Sequence, residues 1–191
     1  CNKRINAELE SMAKMLYEYW FAQFDFPDSN GKPYKSSGGN MVYSATLKRE
    51  IPEGWKDGTL NDLGQIVGGG TPSTENSRNF TTNGTPWITP YYLAGNHGNK
   101  FITRGAQDVS DDGIKNASLK KAPAGTVLLS SRAPIGYMAI ARTELTTNQG
   151  FKSFVPMNGF STAFIYYTVK GSLKTIARYA SGSTFKEVSA G

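Results

Sequence analysis

Near the start of the chain apolar residues recur at alternating steps of four and three: Ile5, Leu9, Met12, Leu16 and Tyr19. That spacing predicts one amphipathic helix over residues 3–22 with the seam of a coiled coil along one side. Glu8, Glu10, Lys14 and Glu18 occupy its other faces, and Pro27, followed by Asp28, Ser29, Asn30 and Gly31, ends the run. A helix of fewer than three heptads is marginal alone in water, so it must pack on something. The pattern leaves two choices open, its own domain or a second helix.

Beyond it the periodicity lapses. Residues 28–50 are rich in Gly, Ser, Lys and Asn with few apolar anchors, which reads as an extended linker. Ile51-Pro52-Glu53-Gly54-Trp55 opens the globular part, so the expected organisation is a helix within 1–27, a linker over 28–50 and a domain over 51–191. Short β-type runs bounded by Gly or Pro follow at Thr126 to Ser130, Met138 to Ala141 and Phe151 to Val155, with the spacing of a meandering sheet. Residues 161–180 return to helical spacing, with Ile165, Val169, Leu173, Ile176 and Ala180 on one face, and Gly171 predicts a break between two short helices. Strands first and helices after argue for an α+β domain with a mixed or antiparallel sheet and packed helices, preceded by the long amphipathic helix.

Charge changes the picture more than composition does. The 191 residues are 38% hydrophobic, enough to bury a sizeable core, and no apolar run reaches the length of a membrane span. A single cysteine excludes an internal disulfide and fits a reducing, cytoplasmic setting. The net charge of +6 is unevenly placed: residues 1–55 carry seven Lys/Arg against seven Asp/Glu, and residues 56–191 carry fourteen against eight. Within 114–191 ten basic residues face only Glu144 and Glu187, the distribution expected of a polyanion-binding surface.

The inventory of chemically active residues argues against catalysis. His97 is the only histidine and Cys1 the only cysteine, too few for a His/Cys metal site or a Cys-His pair. Asp108, Asp111 and Asp112 lack the Glu-x-Lys pattern that would complete a magnesium nuclease site, and read as a surface turn. Gly68-Gly69-Gly70-Thr71-Pro72-Ser73 has no Gly-Lys-Ser/Thr after it and is no phosphate loop; its glycines predict a tight turn with positive φ. No catalytic residue, metal or cofactor is expected. What remains is a surface mixing Arg, Lys and Asn with aromatic side chains, at Asn76 to Phe80, Tyr91-Tyr92, Asn99 to Phe101, Thr103-Arg104 and Asn116 to Lys121. Arg suits guanine, Asn and Gln suit adenine, and Lys, Ser and Thr hold phosphates.

Ser130-Ser131-Arg132-Ala133-Pro134-Ile135-Gly136, Thr147-Asn148-Gln149-Gly150-Phe151-Lys152 and Ser181-Gly182-Ser183-Thr184-Phe185 resemble, in order and spacing, the target recognition domain of the specificity subunit of type I restriction-modification systems. Upstream, Leu16 to Asp28, Gly31 to Gly39 and Ile51 to Trp55 look like the helix and linker that introduce such a domain, and Gly-Thr-Pro-Ser has a counterpart near the domain's start. Thr89-Pro90-Tyr91-Tyr92 is similar to only part of the Pro-Pro-Tyr motif of amino-methyltransferases, so the chain reads as a partner of such an enzyme.

The resemblance implies a fragment or half-length form of that subunit, non-catalytic, binding one half of a bipartite site in double-stranded DNA. The partners implied are methyltransferase subunits, the restriction subunit through them, and a second recognition domain or a homodimer joined through the helix. Specificity varies within the family, so base readout is expected between Ser73 and Lys121, with phosphates attracted by 114–191. Candidate DNA contacts are Arg78, Tyr91, Tyr92, Lys100, Arg104, Lys115, Lys120, Lys121, Arg132, Lys152 and Lys186; candidate pairing residues are Ile5, Leu9, Met12, Leu16 and Tyr19. The rival reading is a protein-interaction module that pairs through the helix and holds an acidic partner on its basic face.

Overall fold

The computed structural model describes residues 2–96, 99–132, 134–157, 159–181 and 187–188. Cys1, His97, Ala133, Lys186 and the Ser183-Thr184-Phe185 part of the third motif lie outside the described residues. The chain divides into two compact units, Cys1–Thr59 and Leu60–Gly191.

The first unit begins with α1 (Asn2–Tyr17), continued by one π-helical turn (Glu18–Ala22). No Pro or Gly interrupts 2–22, and Arg4–Glu8 and Lys14–Glu18 pair at i,i+4 along the exposed faces. The helix drawn from the sequence is present, but none of α1 is buried.

Residues 28–50, expected as an extended linker, are folded. Asp28 Oδ1 accepts from the backbone N–H of Asn30 and Lys32, and β1 (Met41–Ser44) and β2 (Arg49–Pro52) form an antiparallel hairpin with Met41 opposite Pro52. The anchors are few but large. Phe26 stacks between Tyr34 at 4.8 Å and Trp55 at 5.2 Å, both with ring planes 15° apart, and Phe24 meets Trp55 edge-on. Each such ring buries far more area than a count of apolar positions conveys. Arg49 then donates to the carbonyl of Ala22 at 2.7 Å and lies over the Phe24 ring, tying the hairpin to the end of the helical run. Ile51 and Trp55 thus belong to this unit, and the boundary falls after Thr59 instead of before Ile51.

The second unit is α+β. A 3₁₀ turn (Leu60–Leu63) leads into β3 (Gly64–Gly68). Another (Ser77–Asn79) precedes β4 (Phe80–Thr81), β5 (Thr85–Ile88) and α2 (Pro90–Gly95). Then come β6 (Phe101–Ile102), β7 (Gln107–Val109), α3 (Asp111–Asn116), β8 (Val127–Leu129), β9 (Met138–Ala141), β10 (Thr146–Thr147), β11 (Lys152–Pro156) and α4 (Thr162–Arg178).

Two sheets result, one ordered β3-β11-β8-β9-β6 and one ordered β10-β5-β7-β4. The expected meander holds locally for β8 and β9, but β6 pairs parallel to β9 and β10 parallel to β5. Both sheets therefore need long crossings that short-range pattern does not signal. Ile88, Leu93, Ile102, Leu128, Leu145 and Phe151 share one core.

The last segment is a single helix, not two. Gly171 carries no positive φ, and nothing lies within 4 Å of where its Cβ would be. The Ser161 hydroxyl caps the start by accepting from the Phe164 N–H. Ile165, Val169 and Ile176 are buried as the spacing required, joined by Tyr166 and Tyr167. Burial of that face outweighs the roughly 1 kcal/mol helix penalty of one glycine.

Candidate nucleic-acid interface

Four loop segments singled out in the sequence meet in the second unit. The run Gly68 to Gly70 crosses so close to the end of β10 that a Cβ on Gly69 would stand 2.1 Å from the Thr147 carbonyl oxygen and 2.2 Å from that of Asn148. Close approach, not positive φ, is therefore what Gly69 serves, and Gly70 likewise passes within 2.8 Å of a Leu119 methyl at its Cβ position. Among the described residues the glycines with positive φ are Gly31, Gly38, Gly54, Gly125, Gly136 and Gly159. The Gly70 N–H donates to the Thr147 carbonyl at 2.9 Å, the Trp87 indole donates to the Gly70 carbonyl at 3.1 Å, and the Thr71 hydroxyl donates to the Gln149 side-chain carbonyl.

The Asn148-Gln149-Gly150 turn joins the remaining loops. Asn148 Oδ1 accepts from the Gly150 N–H, and the Gly150 carbonyl accepts from the Ser131 N–H at 2.8 Å. The rings and stems of Pro90 and Arg132 come within 3.1 and 3.6 Å of the position a Gly150 Cβ would take. Ser130 closes its own loop: its hydroxyl donates to the Pro134 carbonyl and accepts from the Tyr137 N–H, with Gly136 at φ 106°. These bonds hold a rigid platform in which Gln149 and Arg132 are the long polar side chains.

The expected DNA contacts do not form one set. Arg132 and Lys152 both face Glu187, at 3.7 and 3.8 Å. Lys121 pairs with Glu144 at 3.2 Å. Lys100 is engaged by α4: it donates to the Tyr167 hydroxyl at 2.9 Å and sits over the Tyr166 and Tyr167 rings. Arg78, Lys115 and Lys120 are exposed. Lys186 is outside the described residues.

Tyr91, Tyr92 and Arg104, distant by sequence logic, line one cleft together with Asn96 and Ile102. Tyr91 is 80% exposed, and its ring meets that of Tyr92 edge-on at 5.5 Å. Arg104 Nη2 stands 2.7 Å from Asp108 Oδ2, with the Arg side chain 51% exposed and the Asp side chain 3%.

Asp108 is thus a buried anchor on β7 and no part of a surface turn, because its carboxylate also accepts from the Gly84 N–H at 3.0 Å. Asp111 and Asp112 lie in the first turn of α3, where the Ser110 hydroxyl caps the Gly113 N–H and the helix dipole favours acidic residues. Sequence reasoning missed Thr71, Asp108 and Glu187 as partners. The only signal for any of them was the turn chemistry of Asn148-Gln149-Gly150 beside a glycine run.

In the first unit, Ile5, Leu9, Met12, Leu16 and Tyr19 are all exposed, and Met12, Met15, Leu16 and Tyr19 line a shallow apolar groove along α1. No described helix is long and apolar enough to cross a membrane.

Residues 52–191 match the family described as type I restriction modification DNA specificity domain. The type I restriction enzyme MjaIX specificity subunit of Methanocaldococcus jannaschii is 42% identical over 143 residues, 73% of this chain and 32% of that protein. The HindI specificity subunit of Haemophilus influenzae is 33% identical over 136 residues, 70% of this chain and 29% of that protein. This chain therefore spans about a third of the length of these relatives. The HsdS subunit from Thermoanaerobacter tengcongensis shares the fold, with a TM-score of 0.53 at 20% identity, covering 97% of this chain and 41% of that one.

Proposed function

The chain belongs to the type I restriction-modification DNA specificity family, and from that premise we propose that it recognises one half of a bipartite site in double-stranded DNA. In this reading it carries no catalysis. It directs methylation and cleavage by partner methyltransferase and restriction subunits in the cytoplasm. A second recognition domain, or a second copy of the chain, joins through α1, whose exposed apolar stripe has too much area to leave wet.

The observation that carries the proposal is the convergence of the Gly68 to Ser73, Thr89 to Tyr92, Ser130 to Gly136 and Thr147 to Lys152 segments on one platform, in the unit that holds all the excess positive charge. Rigid loops that end in Gln, Arg and Tyr side chains suit base edges, while the lysines of 114–191 suit phosphates. Titration of mixed-sequence duplex DNA at increasing salt tests it. Each phosphate contact adds roughly 0.9 to the log–log slope through counterion release. A slope near zero overturns the reading.

A further inference from the structure

Of the arginines described in the second unit, Arg178 is exposed at the end of α4, and the other four each have a different surrounding. Arg132 faces Glu187, and Arg142 lies over the Phe101 ring at 4.7 Å. Arg78 is exposed on a 3₁₀ turn, with only its backbone drawn into the capping bonds of Asn76 and Ser110. Arg104 differs from all of these. One of its terminal nitrogens is fixed by a buried carboxylate while half of its side chain stays open to solvent.

The anchor is rigid. Asp108 sits on β7, between β4 and β5, opposite Thr81 on one side and Pro86 on the other. The oxygen that receives Arg104 also receives the Gly84 N–H. A guanidinium held through one nitrogen keeps the rest of its planar fork of N–H donors. Its orientation is set before any ligand arrives, so less rotamer entropy is lost on binding than for an untethered Arg78. The open edge borders a cleft of about 540 Å³ whose other walls are Tyr91, Tyr92, Asn96 and Ile102.

We infer that Arg104 is a specificity-determining residue that reads one guanine of the DNA target, with Asp108 as its positioning residue; this rests on the DNA-recognition reading above. Guanine offers two acceptors, O6 and N7, on its major-groove edge, matching a fork that has donors only. Adenine presents an amino donor at the place of O6 and is refused. Tyr91, with its ring exposed at the rim, supplies an apolar face against the neighbouring step.

The test is selection of the full chain on a randomised duplex DNA library, for wild type, Arg104→Lys and Asp108→Asn, with thermal unfolding of each. Lys retains a charge for Asp108 but lacks the bidentate fork; Asn retains an acceptor for Gly84 but lacks the charge that orients Arg104. The expected result is a wild-type motif containing a guanine whose preference falls by roughly 5- to 150-fold in Arg104→Lys, and also falls in Asp108→Asn, with the other positions unchanged. If Asp108→Asn does not fold, Arg104→Lys alone decides. An unchanged motif, or equal loss at every position, overturns the inference and leaves DNA recognition standing. A wild-type selection that returns no motif overturns the recognition reading itself, and this inference with it.

Discussion

Lys100 donates to the Tyr167 hydroxyl at 2.9 Å across 67 residues of chain, with its ammonium 4.3 Å from the centre of the same ring. A lysine that composition places on the DNA surface thereby fastens the loop before β6 to α4. Replacing it by Met keeps the aliphatic stem and removes the charge. The expected loss is roughly 1–2 kcal/mol of stability, because a charge-assisted hydrogen bond and a cation–π contact are lost together in a half-buried setting. Denaturant unfolding measures the loss. The salt slope for mixed-sequence DNA stays as in wild type; a slope that drops by about 0.9 would instead place Lys100 on a phosphate.

If the basic platform holds DNA as proposed, Glu187 sets how much of it is available. It faces Arg132 and Lys152 at 3.7 and 3.8 Å, so a phosphate must compete with it for both. Glu187→Gln is expected to tighten binding to mixed-sequence duplex and to steepen the salt dependence by up to about 0.9 for each newly engaged phosphate. Affinity measured at several salt concentrations checks this. Weaker binding would show that Glu187 orients those cations productively.

The stripe on α1 predicts association. Leu9 is 57% exposed and Leu16 48%, and neither takes part in the aromatic cluster of Phe24, Phe26, Tyr34 and Trp55. The double substitution Leu9→Asp, Leu16→Asp should abolish pairing with no change in the thermal unfolding of the second unit. Sedimentation of parent and variant at matched concentration decides; identical oligomeric states would remove α1 from assembly.

Asp25 predicts an acid-sensitive bond in the first unit. Its carboxylate accepts from the Ser36 hydroxyl at 2.6 Å and from the Ser36 N–H at 2.7 Å, and these bonds, the hydroxyl first, hold its pKa below the ordinary aspartate value. The unfolded chain therefore takes up this proton at a higher pH than the folded one. The stability it contributes is complete above the ordinary value and is lost as pH falls through the folded value. Ser36→Ala should destabilise at about pH 7 and converge with wild type as pH falls well below the ordinary aspartate value. Thermal unfolding across that range is the check, and a constant difference would assign Ser36 a purely packing role.

The amphipathic helix, the β8, β9 and β11 runs and the buried face of α4 were all legible in the chain, because each rests on a local period of apolar residues that survives any tertiary arrangement. The excess of cations after residue 55 was legible by counting. Which cations remain available was not. Lys100 is taken by Tyr167, Lys121 by Glu144, and Arg132 and Lys152 by Glu187, each pairing made across loops by residues with no periodic relation. Likewise three large rings turned an apparent linker into a folded hairpin, and Gly69 proved to serve the close passage of Thr147 instead of a turn. A helix or strand is written in neighbours a few residues apart, so sequence alone determined those elements. The partner of a charge and the clearance around a glycine depend on how crossings bring distant segments together, and only the tertiary structure decided them.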